Sequence, residues 1–216
     1  MANGVMMKQK QALYALMGHP NIKMKLYEEP NLFIPWTFNN RLHDKYIIAD
    51  EDTAILGGRN ISDRFLAPDT YRGEIAYDRD VIVDNGGKDK EASVIHEMKR
   101  YFNEVFNSPY AEPAIGRISK KAISVGDEKK AELKRLLAES RKHAALAGNT
   151  FKWKEKLIET NKITLIHNPV TRFKKEPWVF YEIKQLMDTA DQNAFFMSPY
   201  IVSGSDLSWA FLSDLN

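Results

Sequence analysis

The stretch RLHDKYIIADEDTAILGGRN, residues 41–60, decides the reading of this chain. Two apolar runs, LHDKYIIA (42–49) and TAIL (53–56), flank Glu51-Asp52. Such runs either side of a short polar turn predict a β-hairpin. The first arm carries a histidine and a lysine two positions apart. Side chains alternate along a strand, so His43 and Lys45 share a face, roughly 6–7 Å apart. Asp50 has the opposite parity and falls at the turn, where it reads as a structural residue. Beyond the second arm, Gly57 and Gly58 let a backbone or ligand come close, and Asn60 offers an amide donor. An imidazole, an ammonium and an amide beside glycines suit a phosphate oxyanion.

Outward from the hairpin, strands and helices alternate. Residues 8–17 predict a short helix ending near Gly18, and His19-Pro20-Asn21 a turn. NIKMKLYEE (21–29) sets Ile22, Met24 and Leu26 against Lys23 and Lys25, a strand pattern. PNLFIPWTFNN, with two prolines, reads as a loop. Residues 60–66 begin a short helix, and AYDRDVIVD (76–84) is a strand closed by Asn85-Gly86-Gly87. Val94, Ile95, Met98, Tyr101, Phe102, Val105 and Phe106 make a helical stripe within residues 91–107. The charged stretch 127–147 predicts an exposed helix or an insertion. KITLIHNP (162–169) reads as a strand. Residues 177–190 read as a helix opening at Pro177. AFFMSPYIV (194–202) reads as a strand before a further helix. The alternation predicts an α/β layer architecture.

Composition narrows the function classes. The 216 residues are 44% hydrophobic and 28% charged, ordinary values for a globular chain. A net charge of +2 is too mild to argue for nucleic acid by itself, and RISKK, KWKEK and RFKK read as solvated faces. No cysteine is present, which excludes disulfides and thiolate metal sites. No spaced His, Asp and Glu cluster of ligand type stands out, so neither metal nor cofactor is expected. No apolar run reaches the roughly 18–20 residues of a spanning helix. The first twenty residues lack the continuous apolar core of a signal peptide. Membrane contact, if made by this chain, is expected to be peripheral.

The whole pattern is H-x-K, four residues, Asp, six residues, then G-x-x-N. It resembles the H-x-K-x4-D-x6-G-S-x-N signature of the phospholipase D superfamily. His43, Lys45, Asp50, Gly57 and Asn60 match it, while Gly58 stands where serine is common and removes one hydroxyl donor. GGRNISDRF is similar to the first motif of bacterial cardiolipin synthases. HPNIKMKLYEE and YDRDVIVDN resemble the strands before and after that motif. FNEVFNSPYAEP and NAFFMSPYIVSG resemble the helix that follows and the opening of a second lobe. The resemblance implies a phospholipase D-like α/β/α sandwich with a mixed central sheet flanked by helices. Its first lobe would span 1–175, incomplete at the N-terminus and with a helical insertion at about 127–160. Residues 176–216 would start a second lobe.

The chemistry implied is phosphodiester transfer through a phosphohistidine. His43 would be the nucleophile, with Lys45 and Asn60 holding the phosphate and Gly57 and Gly58 giving it room. Asp50 would be the motif carboxylate. Asp80 would orient His43, with Asp78 as its same-face rival. No metal or cofactor is implied. Family members bring two H-x-K motifs together, but this chain has one: His19, His96, His143 and His167 lack a lysine two residues on. The second motif would come from a homodimer or from a missing C-terminal lobe. The second source is favoured, because SPYIV resembles a second lobe cut short. The expected activity is phosphatidyl transfer of the cardiolipin-synthase type on a phosphatidylglycerol-like lipid, in a membrane-associated parent protein. The alternatives are a phosphodiesterase or nuclease of the same superfamily, with nucleic acid the less favoured substrate, or a non-catalytic half-site.

Overall fold

A computed structural model describes residues 10–28, 33, 42–67, 71–87, 91–114, 119–140, 152–171, 176–195 and 197. In chain order these form α1 (Lys10–Met17), β1 (Lys25–Tyr27), β2 (Tyr46–Ala49), β3 (Thr53–Gly57) and α2 (Asp63–Leu66). There follow β4 (Asp80–Asp84), α3 (Val94–Asn107), β5 (Ala111–Pro113), α4 (Lys120–Ser140), a 3-10 turn at Trp153–Lys156, and α5 (Trp178–Asp188). The chain is therefore a mixed α/β protein, with antiparallel pairing among the described strands. It divides into two compact units, Met1–Ile163 and Thr164–Asn216.

The hairpin organises the first unit. β2 and β3 pair from Tyr46↔Leu56 to Ala49↔Thr53, and β4 continues the sheet from Thr53↔Asp84 to Gly57↔Asp80. At the tip, Asp50 and Glu51 both adopt left-handed backbone, φ 51° and 58°. That handedness matches the twist of the flanking strands. The turn centre thus sits one residue before the expected Glu51-Asp52, and aspartate tolerates the left-handed region better than most residues. The Asp52 N–H closes the turn on the Ala49 carbonyl at 3.1 Å. At the middle of the sheet Ala54 is buried.

Helix α3 follows from its stripe. Val94, Ile95, Met98 and Val105 are buried, and Ile95 has no exposed surface. Full burial of such a side chain contributes roughly 1.5–3 kcal/mol. Ser93 caps the helix, its hydroxyl accepting the His96 N–H at 3.3 Å. Lys99 pairs with Glu51. The Asn85 amide donates to Ser93 Oγ at 3.0 Å and to the Glu51 carbonyl at 3.3 Å. The helix start is thereby fastened to the hairpin tip.

β1 is shorter than the expected 21–29. Its partner β5 offers only Ala111–Pro113, with the Ala114 N–H adding one bond to the Met24 carbonyl at 3.3 Å. The Glu28 N–H still reaches the Tyr110 carbonyl at 2.8 Å, and the Tyr27 and Tyr110 rings meet edge-on at 6.1 Å. α4 begins before the expected residue 127 because its first half packs on α1. There Gly126 is buried, and a methyl group at this position would lie 2.8 Å from the Tyr14 carbonyl oxygen. Residues 131–139 are exposed throughout, as expected for that stretch.

The expected strand at 162–169, most of which falls in the second unit, does not form. No strand is found in that unit among the described residues. Asn168 instead serves the following helix, its Oδ1 accepting the Val179 N–H at 3.2 Å in the first turn of α5. The His167 ring lies 6.5 Å from that of Trp178. The strand expected at 194–202 and the helix after it lie outside the described residues, apart from 194, 195 and 197, which have no regular structure. The loop expected at 30–40 also lies outside, apart from Phe33.

Asp84 fastens the sheet end nearest the turn after β4. Its side chain is 5% exposed. It accepts from Thr53 Oγ1 at 2.9 Å and the Gly86 N–H at 2.9 Å, and Lys154 Nζ lies at 3.3 Å. Burial pushes its carboxyl upward, but the Thr53, Gly86 and Lys154 interactions outweigh burial and hold it below the usual 3.8. A depressed folded-state value gives stability that is present above the unfolded value and lost as pH falls through the folded one. Asp84→Asn is expected to cost about 1–3 kcal/mol at pH 7. The gap to wild type should narrow below about pH 4. Urea unfolding at pH 7 and pH 3 checks both statements.

Candidate active site

The site grows from the end of the sheet opposite the hairpin tip. The Gly57 N–H donates to the Lys45 carbonyl at 3.1 Å, and Gly57 is directly opposite Asp80. Lys45, Gly57 and Asp80 therefore form one row across three adjacent segments. Directly opposed residues share a face, so the Lys45 and Asp80 side chains leave the sheet on the same side. Lys45 precedes β2 rather than lying within it, and its Nζ turns back to donate to the His43 carbonyl. Burial pulls the Lys45 ammonium below the usual 10.5, while the charges of Asp44 and Asp78 pull it back up in part. Partial desolvation strengthens its attraction for an anion.

The glycines are required by close approach. A methyl group at Gly57 would overlap the Asp80 carboxylate and lie 3.0 Å from the Arg79 carbonyl oxygen. One at Gly58 would overlap the Asp78 carboxylate. Two acidic side chains thus lean over the two glycines. Asp78 accepts the N–H of Arg79 at 2.7 Å. Asp80 is ion-paired with Arg59. Arg59 also donates through Nη2 to the Asp78 carbonyl at 2.7 Å and through Nη1 to the Phe65 carbonyl at 3.0 Å.

The other expected residues divide. His43 is exposed, and its imidazole makes no hydrogen bond among the described residues, so neither Asp80 nor Asp78 grips it here. Asn60 is exposed beside Arg59, and its carbonyl accepts the Ser62 N–H at 2.9 Å as the chain turns into α2. Asp50 is not brought to the site. It lies at the hairpin tip, five residues from Lys45, about 17 Å along an extended strand. Its structural role is the left-handed turn. Arg59 is the residue that the sequence reading passed over. Its signal was electrostatic: a hairpin register that opposes Gly57 to Asp80 also brings Arg59 to Asp78, in the acidic pattern YDRD.

A separate cavity of about 300 Å³ opens in the first unit, lined by Leu42, Tyr46, Tyr101, Phe102, Val105 and Phe106 among others. Leu42, Asp44 and Tyr46 line it, whereas the alternate positions His43 and Lys45 do not. At its wall the Tyr101 hydroxyl donates to Asp44 at 2.7 Å. Burial, and then this bond, raise the Tyr101 phenol. Burial, with Asp44 adding, pushes Tyr46 up to about 12. Both phenols stay protonated at neutral pH, donors rather than bases. No group of three or more His, Asp or Glu side chains able to hold a metal occurs among the described residues.

Compared with known proteins, the chain matches no family model, and no similar curated protein or solved structure was found.

Gly57→Ala tests the close approach. Alanine in a strand interior ordinarily stabilises by roughly 0.5–1 kcal/mol over glycine. Here the methyl must displace the Asp80 carboxylate and also meets the Arg79 backbone carbonyl at 3.0 Å, and a loss of about 1–3 kcal/mol is expected. Thermal unfolding gives the sign, and loss of the protected Arg59 Nε–H resonance reports the broken pair.

Proposed function

We propose that this chain carries one half of a phospholipase D-type active site, on a phospholipase D-like α/β/α lobe, for phosphatidyl transfer on a phosphatidylglycerol-like lipid. The observation that carries the reading is the row Lys45–Gly57–Asp80 at one end of the sheet. His43 stands two residues before Lys45, and Asn60 just beyond the glycines. In this reading the neutral imidazole of His43 attacks phosphorus, forming an N–P bond as the P–O bond to the leaving alcohol breaks. A second histidine, from a second H-x-K motif, gives its proton to the leaving oxygen. Lys45 and Asn60 hold the non-bridging oxygens as charge builds there. An acceptor alcohol then attacks the phosphohistidine, loses its proton to that second histidine, and releases His43. No metal or cofactor takes part. The second motif comes from a second copy of the chain or from a larger protein containing it.

A lipid substrate and peripheral membrane contact are favoured over nucleic acid. Ile61 and Tyr77, 92% and 91% exposed, flank Asn60 and Asp78, and apolar side chains beside a phosphate site suit a lipid surface better than a sugar-phosphate backbone. No helix among the described residues is long and apolar enough to cross a membrane.

Light scattering beside an assay on phosphatidylglycerol vesicles and a chromogenic phosphodiester tests the reading. Turnover should pass through an acid-labile phosphohistidine, and His43→Ala should lower it by about a thousandfold or more. A dimeric mass with that loss assigns the site to two copies. A monomer without turnover assigns it to half of a larger site. Undiminished turnover in His43→Ala overturns the assignment, and DNA cleavage with steep salt dependence would move it to a nuclease.

A further inference from the structure

We infer that Arg59 is a positioning residue of this site, holding the Asp80 carboxylate and the Gly57–Asn60 segment in the geometry that an oxyanion needs. The inference rests on the phosphoryl-site reading above and assigns a role to a residue outside the H-x-K and Asn set. A guanidinium is planar and presents its donors in a fixed fork. Arg59 uses all three nitrogens, each on a different partner. Nε holds Asp80 Oδ2, Nη2 the Asp78 carbonyl at 2.7 Å, and Nη1 the Phe65 carbonyl at 3.0 Å. The segment between β3 and α2 is thereby tied both to the start of β4 and to α2.

The division of the Asp80 carboxylate gives this clamp its consequence. Oδ2 is taken by Arg59, while Oδ1 leans over Gly57, where a methyl group would meet it. Gly57 lies between Lys45 and Asp80 in the row. That second oxygen thus lies over the central glycine of the row, on the face that Lys45 shares. Without Arg59, Asp80 would turn to solvent or to Lys45, the cation that the phosphate requires. The Arg59 and Asp80 side chains are 38% and 22% exposed. At such exposure the ion pair itself adds little to stability, but Arg59 also carries the two part-buried bonds to the Asp78 and Phe65 carbonyls, so Asp80→Asn, which leaves both, separates the site from the fold.

Orthovanadate, an oxyanion that adopts the five-coordinate geometry of phosphoryl transfer, is the probe, titrated into the full chain while the His43 imidazole and Asn60 amide resonances are followed. Wild type should show saturable shifts at both. Arg59→Gln should weaken the apparent affinity by about tenfold or more and also lower the urea midpoint, since two carbonyl bonds go with the guanidinium. Arg59→Lys should not rescue, because one ammonium cannot reach three acceptors. Asp80→Asn should weaken binding similarly, and the double variant should be no weaker than the weaker single one. Wild-type affinity in Arg59→Gln, or losses that multiply in the double variant, overturns the inference alone. Should Arg59→Gln fail to fold, Asp80→Asn takes the charge out of the same bond without changing size, and wild-type affinity there overturns it equally. No response of His43 and Asn60 in wild type overturns the phosphoryl-site reading and this inference with it.

Discussion

The register of β3 is the constraint on which the three-stranded sheet and the candidate site depend. β3 is the central strand of its sheet, so one alignment fixes both neighbours. With Thr53 opposite Ala49 and Asp84, Gly57 falls opposite Lys45 and Asp80. A slip of one residue would reverse the faces of every side chain on β3. It would also place Leu56 or Gly58 under the Asp80 carboxylate, and a leucine there has no room for it. The glycine pair and the acidic pair are thus two halves of one steric arrangement, and the left-handed tip sets the count that makes them meet.

What the sequence made legible is what periodicity and local chemistry encode. The hairpin shows as two apolar runs around a turn, α3 as a stripe of seven apolar residues, and α5 as an apolar run after Pro177. Each carries its signal within its own residues. The features that escaped depend on partners far along the chain. β1 alternates over nine residues but pairs over three, the length of its partner β5. KITLIHNP has the composition of a strand, but Asn168 is drawn to the first turn of α5. The first half of α4 looks unremarkable until Gly126 is seen against Tyr14.

The candidate site shows the same division. His43, Lys45, Gly57, Gly58 and Asn60 were legible from spacing alone, and the sheet register gathers Lys45 and Gly57 beside Asp80. Between the two acidic candidates, the sequence left a choice that parity cannot resolve, because Asp78 and Asp80 share it. The geometry distinguishes their surroundings: Asp80 belongs to Arg59, whereas Asp78 binds the next backbone N–H and contributes its charge at Lys45. Asp50 kept its place in the motif but is a turn residue in space. Arg59 was invisible to spacing, because its role arises only when two segments about twenty residues apart are laid side by side.

The sheet is fastened unequally at its two ends. At the tip, Asp84, Asn85, Thr53, Glu51 and Lys99 join β3, β4 and α3 through several bonds, the Asp84 carboxylate nearly sealed from water. At the other end, the Gly57 amide and a half-exposed guanidinium do most of the holding. Local opening free energies follow such differences. Amide exchange along β3 is therefore expected to slow from Gly57 toward Thr53, with the strands opening from the site inward rather than from the turn outward. A bound oxyanion would act as a clasp on the end that opens first, so occupancy and local order at this end rise together.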